Sequence, residues 1–153
     1  MSRAFVKELE DGVEELPERP ISPHPNLVTA EGLAHIEAEV TRLQQEHAAA
    51  QAANDRTALA RAARDLRYWT ARRATAQLVA APSDRSKAYF GSTVTIVRND
   101  GRRQTFRIVG EDEADPARGT LSHVSPLARA LFGKEPGDTV KVAQSEAEIV
   151  EIA

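Results

Sequence analysis

The chain has 153 residues, which suits one ordinary domain or two small ones. It contains no cysteine, so disulfide frameworks, thiol nucleophiles and cysteine-based zinc sites are excluded. A net charge of −3 argues against a protein that coats nucleic acid without specificity, and no apolar run is long enough to cross a membrane as a helix. The acidic first twenty residues also lack the apolar core of a signal peptide. A reducing, cytoplasmic setting is the expectation, with no membrane partner.

Residues 1–27 read as an acidic, proline-rich tail. "PERPISPHP" puts four prolines into nine residues, and each proline removes a donor and disfavours helix in the residue before it. The composition predicts an extended, flexible segment, with a short strand or helix over residues 4–9 as the alternative.

Residues 28–81 read as an antiparallel helical hairpin. In the first helix, over residues 29–52, Thr29 is the N-cap and Glu31 suits the first-turn dipole. Leu33, Ile36, Val40, Leu43, His47 and Ala50 follow at spacings of three and four, a coiled-coil stripe. "ANDR" then interrupts. Asn54 or Asp55 ends one helix and caps the next, which runs over residues 56–80 with Leu59, Ala62, Leu66, Trp69, Arg73 and Ala76 on its stripe. So short a turn folds the two helices back on each other, with one long helix through Asn54 as the alternative. The first arm is rich in glutamate (Glu31, Glu37, Glu39, Glu46). The second is rich in arginine (Arg56, Arg61, Arg64, Arg67, Arg72, Arg73). Ion pairs across the hairpin are the plain reading of that asymmetry. A basic strip offered to RNA or to an acidic channel wall, with Arg56, Arg61 and Arg64 as contacts, is the sharper one.

Residues 82–88 read as a linker, and the apolar period then changes from three and four to two. "STVTIV" and "QTFRIV" flank the turn "NDG", while "DTVKV" and "AEIVEI" close the chain. Between these pairs "SPLARALF" reads as a short helix, capped by Ser125, opened by Pro126 and stopped by Gly133. Residues 89–153 therefore form a small, mainly antiparallel sheet crossed by one helix, and the whole chain is of the α+β class.

No motif marks a self-contained enzyme. His24, His35, His47 and His123 have no metal-ligand spacing, and His47 sits on the helical stripe as a packing residue. Glu111, Asp112, Glu113 and Asp115 do not follow a calcium-loop pattern, and a solvated turn that discourages edge pairing is the favoured reading for them.

"FGSTVTIVRNDGRRQTFRIVGEDEADPARGTLSHVSPLARALFGKEPGDTVKV" resembles the C-terminal domain of the bacterial transcription elongation factors GreA and GreB, and "RIVGEDEAD" and "SPLARALFGK" are its specific blocks. "VTAEGLAHIEAEV" and "DLRYWTARRATAQLV" resemble the start and end of that family's N-terminal coiled coil. The resemblance implies an FKBP-like C-terminal domain that grips RNA polymerase at the rim of the secondary channel. It also implies a coiled coil that enters the channel, where two tip acids help hold a magnesium ion in the polymerase's own centre. By this correspondence Ser125, Pro126, Ala128 and Arg129 are polymerase contacts, followed by Asp112 and Asp115. The protein would carry no cofactor of its own, act as a monomer and lie near nascent RNA or DNA. The tip departs from the family. "AANDRTALARAA" offers Asp55 as the one candidate tip acid, with Thr57, Ala58 and Leu59 where the second belongs, and the arms are shorter. Each lost turn would withdraw the tip by about 5 Å. Binding without efficient cleavage is the expectation. A true cleavage factor using Asp55, or an interaction protein like the family's relatives that regulate nucleoside diphosphate kinase, are the alternatives.

Overall fold

The computed structural model describes residues 16–153, so the expectations for residues 1–15, including an element at 4–9, lie outside the described residues. The described chain divides into two compact units. One comprises residues 16–23 and His35–Thr75. The other comprises His24–Ala34 and Ala76–Ala153.

Helix α1 (Ala30–Ala52), which belongs to the first unit from His35 onward, and helix α2 (Arg56–Thr75) are joined by a three-residue turn. Asn54 takes a left-handed conformation there (φ 55°), which asparagine tolerates better than most residues. The Asp55 carboxylate then accepts the Ala58 N–H at 3.1 Å and caps α2. The predicted stripe of α1 is real: Ile36, Val40, Leu43 and Ala50 are buried. From α2, Ala62 and Trp69 are buried, and the stripe ends on Arg72 rather than the expected Arg73, which is exposed. Trp69 makes edge-on ring contacts with His35 and Tyr68 at centroid distances of 5.4 and 5.2 Å.

Residues 16–23, expected to be flexible, are tied to α2. Glu18 is bonded to Arg67, Arg19 reaches Asp65 at 3.5 Å, and the Arg19 guanidinium lies 4.0 Å from the Tyr68 ring centre. Proline keeps this strap extended, as composition predicts, but its charges give it partners. The arginines of α2 therefore do not simply mirror the glutamates of α1. Arg42 takes Glu39 and Glu46 within α1, Arg64 takes its neighbour Asp65, and Arg67 takes Glu18.

The second unit is built on a five-stranded sheet of strands β3 (Thr93–Arg98), β4 (Arg103–Val109), β5 (Thr120–Ser122), β6 (Thr139–Val142) and β7 (Ser145–Ile152), in the order β5-β4-β3-β7-β6. Strands β3 and β4 form the expected hairpin, with Val94 opposite Phe106 and Gly101 in the turn at φ 85°. Strand β7 pairs antiparallel with both β3 and β6. Strand β5 was not foreseen, and it pairs parallel to β4, so the sheet is antiparallel throughout, as expected, except at this edge. Three residues are too few to show a period of two, and the crossing loop after β4 returns the chain in the same direction. The sheet's inner face carries Val94, Ile96, Phe106, Ile108, Val140, Ala147 and Ile149, and Ala128 and Leu131 of helix α3 (Pro126–Leu131) pack into the same core. Burying each large aliphatic side chain contributes roughly 1.5–3 kcal/mol. Ala88, expected in the linker, also belongs to this core. Its N–H donates to the Lys134 carbonyl and its carbonyl accepts from Gly133.

A second, two-stranded parallel pair joins β1 (Leu27–Val28) to β2 (Gln77–Leu78). It explains why α2 stops at Thr75, five residues before the apolar pattern suggested. The Gln77 and Val79 N–H groups donate to the Asn26 and Val28 carbonyls instead of continuing a helix.

Candidate functional site

The acidic loop after β4 has one residue whose role the sequence did not reveal. Glu113 reaches across to the start of α1. Its carboxylate accepts the Thr29 N–H at 3.1 Å, the Thr29 hydroxyl at 2.5 Å and the Gly110 N–H at 3.3 Å. The Thr29 hydroxyl in turn accepts the Gly32 N–H at 3.0 Å, so the predicted N-cap is present. An ordinary capping box places the reciprocal glutamate three residues after the cap. Here that place is Gly32, and Glu113, 84 residues away, supplies the carboxylate. Both contact points are glycines: at Gly110 a side chain would meet backbone, and at Gly32 it would displace the carboxylate. A Cβ on Gly32 would sit 1.9 Å from the Glu113 Oε2, and one on Gly110 would sit 2.4 Å from the Leu27 carbonyl oxygen. "GEDEAD" is thus partly an internal clamp, which corrects its reading as a solvated turn. Close by, Arg107 lies 3.6 Å from Glu31. The Glu31 carboxyl is held below its ordinary range first by a hydrogen bond from its own backbone N–H and then by the Arg107 charge.

Asp115, the last acid of the loop, is engaged locally. Asp115 accepts the Ala117 N–H at 3.2 Å, caps the 3-10 turn Pro116–Arg118 and lies 3.6 Å from Arg118. It is exposed, while Asp112 is half-buried. On α3, Ser125 caps the helix by accepting the Ala128 N–H at 3.3 Å, and Pro126 opens it. Pro126 and Arg129 are exposed and Ser125 is half-buried, so these three are available to a partner. Ala128 is not: its exposure is 0%, because it points into the core beside Leu131. Ala128 is therefore removed from the contact set, and the helix offers Pro126 and Arg129 on its outer face.

At the hairpin turn, Glu46, Asp55, Asp65 and Arg61 line a groove of about 380 Å³. Its acids are occupied: Glu46 by Arg42 at 2.5 Å, Asp65 by Arg64 at 3.1 Å, and Asp55 by the Ala58 N–H. Among the described residues no group of three or more His, Asp or Glu side chains is placed to hold a metal ion. Of the candidate basic strip, Arg56 and Arg61 are exposed and Arg64 is half-buried against Asp65. No helix of the described residues is long and apolar enough to cross a membrane.

A two-helix hairpin followed by a mixed sheet crossed by one short helix is the class of protein that these elements define. Residues 82–153 match the family model described as transcription elongation factor, GreA/GreB, C-term. The transcription elongation factor GreA of Desulfovibrio desulfuricans is 35% identical over 123 residues, covering 79% of this chain and 72% of the relative. The GreA of Alkalilimnicola ehrlichii is 50% identical over 78 residues, covering 48% of this chain and 49% of the relative. The chain belongs to the GreA/GreB family. It spans about half the length, or less, of several of these curated relatives, as with the 38% covered in the GreA of Hyphomonas neptunium. Among solved structures, the GreA factor homolog 1 (Gfh1) of Thermus thermophilus aligns over 85% of this chain and 99% of that chain, at 21% identity and a TM-score of 0.40.

Proposed function

We propose that this chain is a transcription elongation factor-like protein that binds bacterial RNA polymerase through its sheet unit, at the secondary channel. It presents a shortened hairpin there and modulates transcription without efficient RNA cleavage. Family membership supports the partner. The observation that carries the second half is the chemistry of the turn. Asp55 is the one carboxylate between Gln51 and Arg64, and it is used to cap α2. Metal-assisted cleavage needs carboxylates free to reach an ion directly or through water, and a site displaced by even 1 Å can lose most of its rate. Any magnesium would be held jointly with the polymerase. Its Asp55 ligand would first have to give up the Ala58 N–H, and Glu46 and Asp65 would have to leave their arginines.

The test is a backtracked elongation complex incubated with the full chain, scored for shortened RNA while polymerase binding is measured in parallel. Binding without shortening is expected. Shortening that disappears in Asp55→Asn would install the cleavage reading instead. Recovery of a nucleoside diphosphate kinase, with no polymerase bound, would replace both.

A further inference from the structure

Residues 16–23 contain no helix or strand, yet their burial repeats every third residue. Leu16, Arg19 and Ser22 are half-buried. Pro17, Pro20 and Pro23 are exposed, as are Glu18 and Ile21 between them. Three residues per turn is the repeat of a polyproline II helix, and proline holds φ where that helix needs it. The strap therefore has an inner and an outer edge. The inner edge is anchored on α2. The Arg19 guanidinium carbon lies 4.0 Å from the Tyr68 ring centre and 5.7 Å from that of Trp69, and an Arg19 nitrogen is 3.5 Å from the Asp65 carboxylate. Glu18, beside it, is bonded to Arg67. Both charged side chains of the strap are thus engaged on the hairpin, and the prolines face out.

We propose that this outer edge is a docking surface for a protein groove lined by aromatic side chains. The edge is apolar and in register: Pro17 to Pro23 would span about 19 Å at the polyproline II rise. Ile21 stands beside the prolines at 47% exposure, among the few large hydrophobic side chains exposed in the described residues. A single exposed apolar side chain needs no explanation, but a continuous row marks an interaction site. A polyproline II backbone makes no internal hydrogen bonds, so its carbonyls are open to donors. The complementary surface is a set of flat rings with gaps that take the prolines, and Trp N–H or Tyr O–H groups that bond those carbonyls. With Glu18 and Arg19 already paired, nothing on the outer edge recruits nucleic acid or an anionic membrane. Anchoring on α2 also favours docking, because the strap has already lost the freedom that a loose peptide gives up on binding.

The test introduces the photoreactive residue benzoylphenylalanine in place of Ile21 in the full chain, irradiates cells that make it, and maps each adduct to the residue it joins. The expected adduct lies in a cleft of another protein that holds more than one Trp or Tyr side chain. Pro20→Ala together with Pro23→Ala, which leaves Glu18 and Arg19 in place, should lower its yield about tenfold. In extract, free poly-L-proline should compete the adduct away, whereas polyglutamate should not. Absence of any adduct would overturn the proposal, as would an adduct on a surface without aromatic side chains. An adduct that withstands both the proline substitutions and poly-L-proline would also overturn it. So would an adduct with a second copy of this chain, which would assign the strap to self-association.

Discussion

Removing the Glu113 carboxylate should loosen the start of α1 and the β4 loop together. In Glu113→Ala, the Thr29 N–H, the Thr29 hydroxyl and the Gly110 N–H each lose their acceptor. Thr29 is 1% exposed, so water replaces that acceptor poorly. A hydrogen bond to a charged group is worth about 1.5–3 kcal/mol net, and three bonds to one carboxylate are not additive, so a loss of about 2–3 kcal/mol is expected. Native-state hydrogen exchange reads this directly: the Thr29 and Gly110 amides should exchange roughly 30- to 150-fold faster. A double-mutant cycle sharpens the test. Gly32→Ala alone drives a Cβ into the Glu113 Oε2 and should forfeit the clamp at similar cost. In the Glu113→Ala background the same change meets no carboxylate and should become neutral or stabilising by up to about 1 kcal/mol, since alanine favours helix over glycine. If Gly32→Ala costs the same in both backgrounds, or if the two amides exchange unchanged, the clamp does not hold these segments.

Asp55→Asn should leave α2 as stable as before, because asparagine caps as well as aspartate. Asp55→Ala should cost about 1 kcal/mol by urea unfolding, so the asparagine variant isolates the charge from the cap. Arg129→Glu should weaken polymerase binding at least several-fold in a titration without changing the circular dichroism spectrum, since the side chain is exposed on α3. Ala128→Leu should lower stability by about 1–3 kcal/mol through overpacking, because its neighbours leave it no exposed surface. The Glu18 carboxyl is held below its ordinary value of 4.5, chiefly by its hydrogen bond from Arg67. Its contribution is therefore full above pH 4.5 and is lost as the pH falls through the lowered folded value. Amide signals of Glu18 and Arg19 should shift over that acid range in the native chain, and Glu18→Gln should abolish the transition.

Which features were legible follows from their range. The α1 stripe, the Asp55 cap, the β3–β4 hairpin and the Ser125 cap are each written within a few residues, and the structure contains all of them. The features that escaped depend on partners far along the chain. Glu113 looked like one acid among four because its acceptor role is defined by Thr29 and by the absence of a side chain on Gly32. Strand β5 is too short to signal itself, and the end of α2 is set by a pairing with Leu27–Val28 rather than by its own residues. Ala128 was misassigned for a related reason. On a six-residue helix, the difference between a contact residue and a core residue is a rotation, and the sheet beneath decides it. The glycines in "AEGL" and "VGED", each beside an acid, were the available hint of a close approach.

The order of the sheet has a consequence for biosynthesis. Its middle is supplied late: β7 lies between β3 and β6, with Val94 paired to Ile152. When β3 leaves the ribosome it can pair with β4 alone, and the strand that covers its other edge is made about fifty residues later. At 5–20 residues per second that is a wait of roughly 3–10 s, long against the microseconds in which a hairpin closes. The helical unit is made of residues up to Thr75, with only the start of α1 held by the later Glu113. Its residues are therefore all made while the sheet still exposes Thr95 and Val97 along an open edge, and that interval is when a nascent chain of this architecture is most in need of a chaperone.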